Sequence, residues 1–318
     1  MAHQPLNLTY SQYQLEQARA KLIAYELKFV DELGTPSPDA DYAREFIFSP
    51  TANAIGIDRV EMPVPLTDIE LEEWKGFHIF RENSTKFITL TKRPYHTGLK
   101  ETIRRMAAVD WTGFNTAPEV IAEVIKAWTS KNSVMLLNAT PDDVATNDYT
   151  DTPWWSTTAV KPENPLRAGS RTYLNFYPAT TLTQDNILTM IANLADRRDF
   201  NDNSRGLMVT HAYSSTALYP TLIKTLTQER LPTNETNPLL AYNIRPVHWP
   251  DLSPSRWGIF AWRPQLPFWG ALEDPPRYKI LMEGSALWEK EDSFGINVIV
   301  DLGVGRLRPE TIIGASTT

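Results

Sequence analysis

The segment HAYSS, residues 211–215, sets Ser214 and Ser215 close behind His211, and serine with histidine is the minimal equipment for nucleophilic acyl transfer. Chain neighbours rarely assemble a triad, and no Gly-x-Ser-x-Gly elbow occurs, so these serines read as the start of a helix. DFNDNSRG opens like a calcium loop, with oxygens at Asp199, Asn201 and Asn203. The sixth and twelfth positions, which need glycine and a bidentate glutamate, are Ser204 and Thr210, so a polar turn is expected. Histidines at 3, 78, 96, 211 and 248 never pair at metal spacing. The GVG of 303–305 lacks the third glycine and following helix of a dinucleotide site, and reads as a turn between extended segments. Asp142 and Asp143 stand in a loop with no apolar frame to separate their pKa values, and read as solvated. The sequence therefore offers no catalytic, cofactor-binding or metal-binding residues.

One local positive cluster remains, Lys92, Arg93, Lys100, Arg104 and Arg105, with His96 among them. Facing phosphates, it would make non-specific contacts. Facing the acidic patch Glu70, Glu72 and Glu73 on a neighbouring copy, it would fix register more than add affinity. A solvated face is the third reading.

The elements that must carry these residues form a mixed pattern. Ser11 and Gln14 make a capping box, after which Leu15, Ala18, Leu22, Tyr25 and Phe29 mark one helical stripe ending at Gly34. Residues 46–90 change to short runs of period two broken by Pro50, Pro63 and Pro65, a protruding hairpin or ribbon that is marginal alone. Thr116 and Glu119 open a helix whose expected apolar face is Val120, Ile121, Val124, Ile125 and Trp128. Residues 138–170 are loop-rich. From 183 the order is helix, polar turn, buried strand GLMVT and a helix from about Tyr219, with Thr183 capping and Ile187, Leu188, Ile191 and Leu194 on one face. RWGIFAW and a pair around YKILMEG and FGINVIVDLGV supply later strands.

The 318 residues carry a net charge of −7, which excludes a uniformly basic surface for nucleic acid. Zero cysteines remove disulfides and thiolate chemistry. Ten tryptophans and 24 prolines imply extended connections held by large aromatic surfaces. Asn-x-Ser/Thr triplets at Asn7, Asn83, Asn138 and Asn234 come without a signal-like leader, so glycosylation is not expected. No apolar run reaches the ~18 residues of a membrane span, so no membrane is expected as partner.

An amphipathic arm, proline-rich ribbon, capped long helix, α/β layer and final strands, in that order, resemble a phage major capsid protein of the Hong Kong 97 type. The likeness is greatest to the major head subunit of Mu-like tailed phages. STKFITLTKRPYHTGLKETIRRM leading to TAPEVIAEVIKAW resembles that family's ribbon-to-helix passage, and LTQDNILTMIANLADRRDFNDNSRGLMVTHAYSSTALYPTLIKTL its helix, turn, strand, helix passage. SRWGIFAW and FGINVIVDLG resemble its later strands. The resemblance implies an α+β fold with residues 1–45 as N-terminal arm and 46–92 as extended β loop. Residues 93–170 and 278–318 would form a peripheral domain with the spine helix at 116–137, and 171–277 an axial domain. It implies a head protein without enzymatic activity or cofactor, self-assembling as hexamers and pentamers into an icosahedral shell around non-specifically contacted double-stranded DNA. Portal and decoration proteins are the further partners, the virion the location and the host cytoplasm the place of assembly. An encapsulin-like compartment shell is the near alternative and a soluble α/β enzyme the distant one.

Overall fold

A computed structural model describes residues 59–65, 85–91, 93–102, 117–148, 150–158, 160–163, 169–198, 204–230, 235–261, 268–272, 277–281, 293–306 and 308–318. The expected N-terminal helix lies outside these, as do Asp199, Asn201 and Asn203.

The expected ribbon is present as β1 (Arg59–Pro65) and β2 (Thr85–Thr91), antiparallel with Pro63 opposite Phe87. A proline donates no ladder hydrogen bond, and β1 has β2 as its only strand partner among the described residues. β3 (Arg93–Thr102) follows, then α1 (Ala117–Ser133). Along α1, Ile121, Ala122 and Ile125 are buried. Val120 and Val124 are not: they are 48% and 49% exposed, a correction to the expected five-residue apolar face. The helix buries one narrow side and leaves the valines on another.

After α1 come the two-residue strands β4 (Lys161–Pro162), β5 (Thr172–Tyr173) and β6 (Phe176–Tyr177), then α2 (Gln184–Ala195). The Thr183 side chain accepts from the Asn186 N–H, closing the expected cap. Ile187, Met190, Ile191 and Leu194 are buried, each contributing about 1.5–3 kcal/mol relative to exposure. The buried strand is β7 (His211–Ser214), which begins directly after GLMVT and not within it. Its partners decide this: β8 (Arg245–His248) and β9 (Arg256–Phe260) both pair with 211–214, and residues 206–210 only lead in, with Met208 exposed. Between β7 and β8 lies α3 (Tyr219–Thr227), starting where expected with Pro220 in its first turn.

β10 (Phe268–Leu272) and β11 (Arg277–Leu281) pair end to end along one side of β12 (Ser293–Arg306), with β3 along the other. The GVG therefore lies inside β12, where Gly303 faces Ala271 and Gly305 faces Trp269, and is not a turn. β13 (Ile312–Ser316) completes a five-stranded sheet in the order β6-β13-β9-β7-β8. Sheet membership thus crosses the division expected at 277/278 twice: β10 joins β12, and β13 joins β9.

The core lies under this five-stranded sheet, between α2, α3 and the strands, with Trp257, Ile259, Ile313 and Ala315 at its centre. Two glycines permit its close layers. A Cβ on Gly258 would sit 2.5 Å from the Tyr213 hydroxyl, and one on Gly314 2.8 Å from the Trp155 ring. Among the described residues no helix is long and apolar enough to cross a membrane.

Candidate assembly surface

The enzyme-like serines and histidine are structural. His211 stacks on Phe260 with ring centroids 5.0 Å apart, and its Nδ1 lies 2.8 Å from the Thr210 hydroxyl. Burial first, and the Arg245 cation second, hold its pKa down to about 4, so the ring is neutral at physiological pH. Neither serine starts α3, which is capped at Leu218, a correction to the expected helix-start serines: the Ser215 carbonyl accepts from the Leu218 and Tyr219 N–H groups in the turn that leads into the helix, while its hydroxyl donates to Pro254 O at 2.7 Å. Ser214 belongs to β7, and every residue of that strand is buried. His248 Nε2 meets the Thr216 hydroxyl at 2.9 Å. No group of three or more potential ligands lies together among the described residues.

The loop from 138 to 163 is held by its acids. Asp142, at φ +59°, accepts from the Thr157 N–H at 2.9 Å and from the Thr157 hydroxyl, and Asp143 accepts from the Ala145 N–H. Neither is simply solvated: Asp143 closes a turn, and Asp142 ties together two stretches of the loop 15 residues apart. Asp148 goes further, forming a fully buried ion pair with Lys161 at 2.5 Å. Lys161 Nζ also donates to Pro153 O at 2.5 Å and the Thr152 hydroxyl at 3.0 Å. Burial pushes the Asp148 carboxyl up, while Lys161 and the Thr150 hydrogen bonds pull it back. Sequence reading passed over this pair, because a single lysine 13 residues from an aspartate carries no periodic signal. Trp154 and Trp155 are fully buried in the same loop, and Trp155 packs on Phe176 at 5.3 Å. Asn138 donates to Asp251 O and accepts from the Ser253 N–H, so both ends of its amide are used.

Of the basic cluster, Arg93 and Lys100 lie on β3 and are exposed; Lys92, Arg104, Arg105 and the acidic residues Glu70, Glu72 and Glu73 fall outside the described residues. Seven positions apart on one strand, Arg93 and Lys100 project to opposite faces. Arg93, Pro94, Tyr95 and His96 are consecutive and all exposed, so the described residues cover neither face of the sheet at this end. α1 touches β3 and β12 and adds the exposed pair Val120 and Val124. A strand end exposed on both faces and a helix with apolar residues outside have the chemistry of contact surfaces.

No family model matches the chain, and no curated protein sequence matches it. Solved structures do. The capsid of Ralstonia phage GP4 superposes with a TM-score of 0.54 at 9% identity, covering 86% of this chain and 89% of that one. The capsid of an empty GTA particle gives 0.53 at 8% identity, covering 89% and 91%. A structure from Microbacterium phage Oxtober96 gives 0.50 at 11% identity, also covering 89% and 91%. The fold is mixed α+β and is that of phage capsid proteins, the Hong Kong 97-type resemblance carried by the sequence.

Proposed function

We propose that this chain, having a phage capsid fold, is the major head protein of a tailed bacteriophage. It self-assembles as hexamers and pentamers into an icosahedral shell around double-stranded DNA and has no enzymatic role. The observation that carries this reading is the likeness in fold to capsids over 86–89% of the chain. The exposed end of β3 and the outward valines of α1 support it, since a shell subunit leaves for its neighbours the surfaces it does not cover itself. Residues 1–45 act as the arm and 46–92 as the extended loop over the next subunit. The sheet around β12 with α1 belongs to the peripheral domain, and the five-stranded sheet with α2 and α3 to the axial domain. Lys92, Arg93, Lys100, Arg104 and Arg105 face either packaged DNA or the patch Glu70, Glu72 and Glu73 of a neighbour. Portal and decoration proteins complete the partners, and assembly proceeds in the host cytoplasm.

An encapsulin-like compartment shell shares the assembly principle, but the capsids with the highest TM-scores above support the head reading. Electron microscopy and size-exclusion chromatography of the purified chain test it. Closed shells or capsomers are expected, and a 36.1 kDa monomer that never associates at any concentration or salt would end the proposal.

A further inference from the structure

Helix α1 carries two faces of different fate. Successive residues of an α-helix step by about 100°, so Val120, Val124, Ala127 and Lys131 fall within roughly 60° of one another. All four are exposed, while Ile121, Ala122 and Ile125 on another side are buried. Glu123 flanks the stripe one turn before Ala127, and Lys131 stands one turn after it. Neither forms an ion pair with another described residue. The stripe is apolar at one end, small in the middle, and bracketed by opposite charges at equal distance from Ala127.

We propose that α1 packs antiparallel against α1 of a second copy across a two-fold axis at Ala127, a contact between subunits that rests on the shell-forming reading above. Under that symmetry residue i faces residue 254 − i, so Glu123 of each copy meets Lys131 of the other, about 6 Å along the axis from the centre. Ala127 meets itself, and its small side chain admits the short interaxial distance, near 8 Å, that helices with larger residues at the crossing cannot reach. A parallel arrangement would put like charges together instead. The two exposed ion pairs set register more than affinity. One helix face is far below the area of a stable dimer, so the contact forms as one of many in an assembled particle.

The chain has no cysteine, so an introduced one reports on this contact without background. Shells of A127C, mildly oxidised and run without reductant, are expected to give a dimer band that reductant removes, because only a two-fold contact sets a residue against itself. E123C and K131C each should give none, their copies being about 12 Å apart along the helices, while E123C/K131C together should crosslink. K131E should lower shell yield, and E123K/K131E should restore it. Assembled A127C particles without the dimer, or E123C crosslinking as readily as A127C, would overturn the pairing while leaving the capsid reading intact. Failure of the unsubstituted chain to assemble at all would defeat both.

Discussion

K161M removes the cation of the buried pair while keeping an unbranched apolar stem of similar length. In the native loop the three N–H bonds of the ammonium are all engaged, by Asp148 Oδ2, Pro153 O and the Thr152 hydroxyl. Methionine leaves the Asp148 Oδ2 carboxylate oxygen without its donor, and Pro153 O with the Ser156 hydroxyl alone, in a site where both charged side chains are fully buried. Breaking a buried pair from one side costs about 3–5 kcal/mol, a large part of the ~5–15 kcal/mol that holds a typical domain. D148N/K161M should lose less than the two single variants added together, because the Asn side-chain oxygen still accepts from the Thr150 N–H and no charge is stranded. The pH dependence has a definite sign. Without Lys161, burial raises the Asp148 pKa in the folded state well above its unfolded value, so the folded state binds more protons and K161M gains stability relative to the native chain as pH falls. Urea unfolding of the unassembled subunit, followed by tryptophan fluorescence from the buried Trp154 and Trp155, measures all of this. A K161M variant within about 1 kcal/mol of the native chain at neutral pH, or one whose deficit relative to the native chain grows in acid, would refute the reasoning.

Three other outcomes are expected. G258A should destabilise by about 1–3 kcal/mol in the same assay, since its Cβ would meet the Ile313 carbonyl and the Tyr213 ring, and serine should be no better. His211, held neutral with a pKa of about 4, makes the folded state bind fewer protons than the unfolded one between about pH 6.5 and 4, so as pH falls through that window the native chain should lose about 2–3 kcal/mol relative to H211F when the two chains are titrated side by side. Deleting residues 1–45 should abolish closed shells in electron micrographs while the circular dichroism spectrum stays that of a folded body; intact shells from the truncated chain would contradict the arm assignment.

Elements with both a local signal and tertiary support were legible. Thr183 caps α2, Ile187, Ile191 and Leu194 face the core, and α3 begins at Tyr219, all as the spacing indicates. Strand limits were not, because they belong to partners: β7 begins at His211 because β8 and β9 pair with 211–214, and nothing within GLMVT announces that. The glycines of GVG read as a turn for the same reason, since the strand that runs through them is specified by β3, β10 and β11. On α1 the apolar spacing is real, but spacing does not say whether a valine faces its own core or another molecule. Asp142, Asp143 and Asp148 looked alike in sequence; their roles depend on Thr157, Ala145 and Lys161, which the fold brings near.

The pairing of β12 and β13 has a consequence for synthesis. β12 is the strand on which β3, β10 and β11 all depend, and β13 lies between β6 and β9 in the other sheet. Both are made after every strand they pair with, and β12 must reach back to a partner near residue 100. Neither sheet closes until then, and pairing across such sequence separation is slow. A nascent or interrupted polypeptide therefore lacks the centre of both layers. Translation itself becomes a checkpoint: a fragment that stops short of residue 293 completes neither sheet.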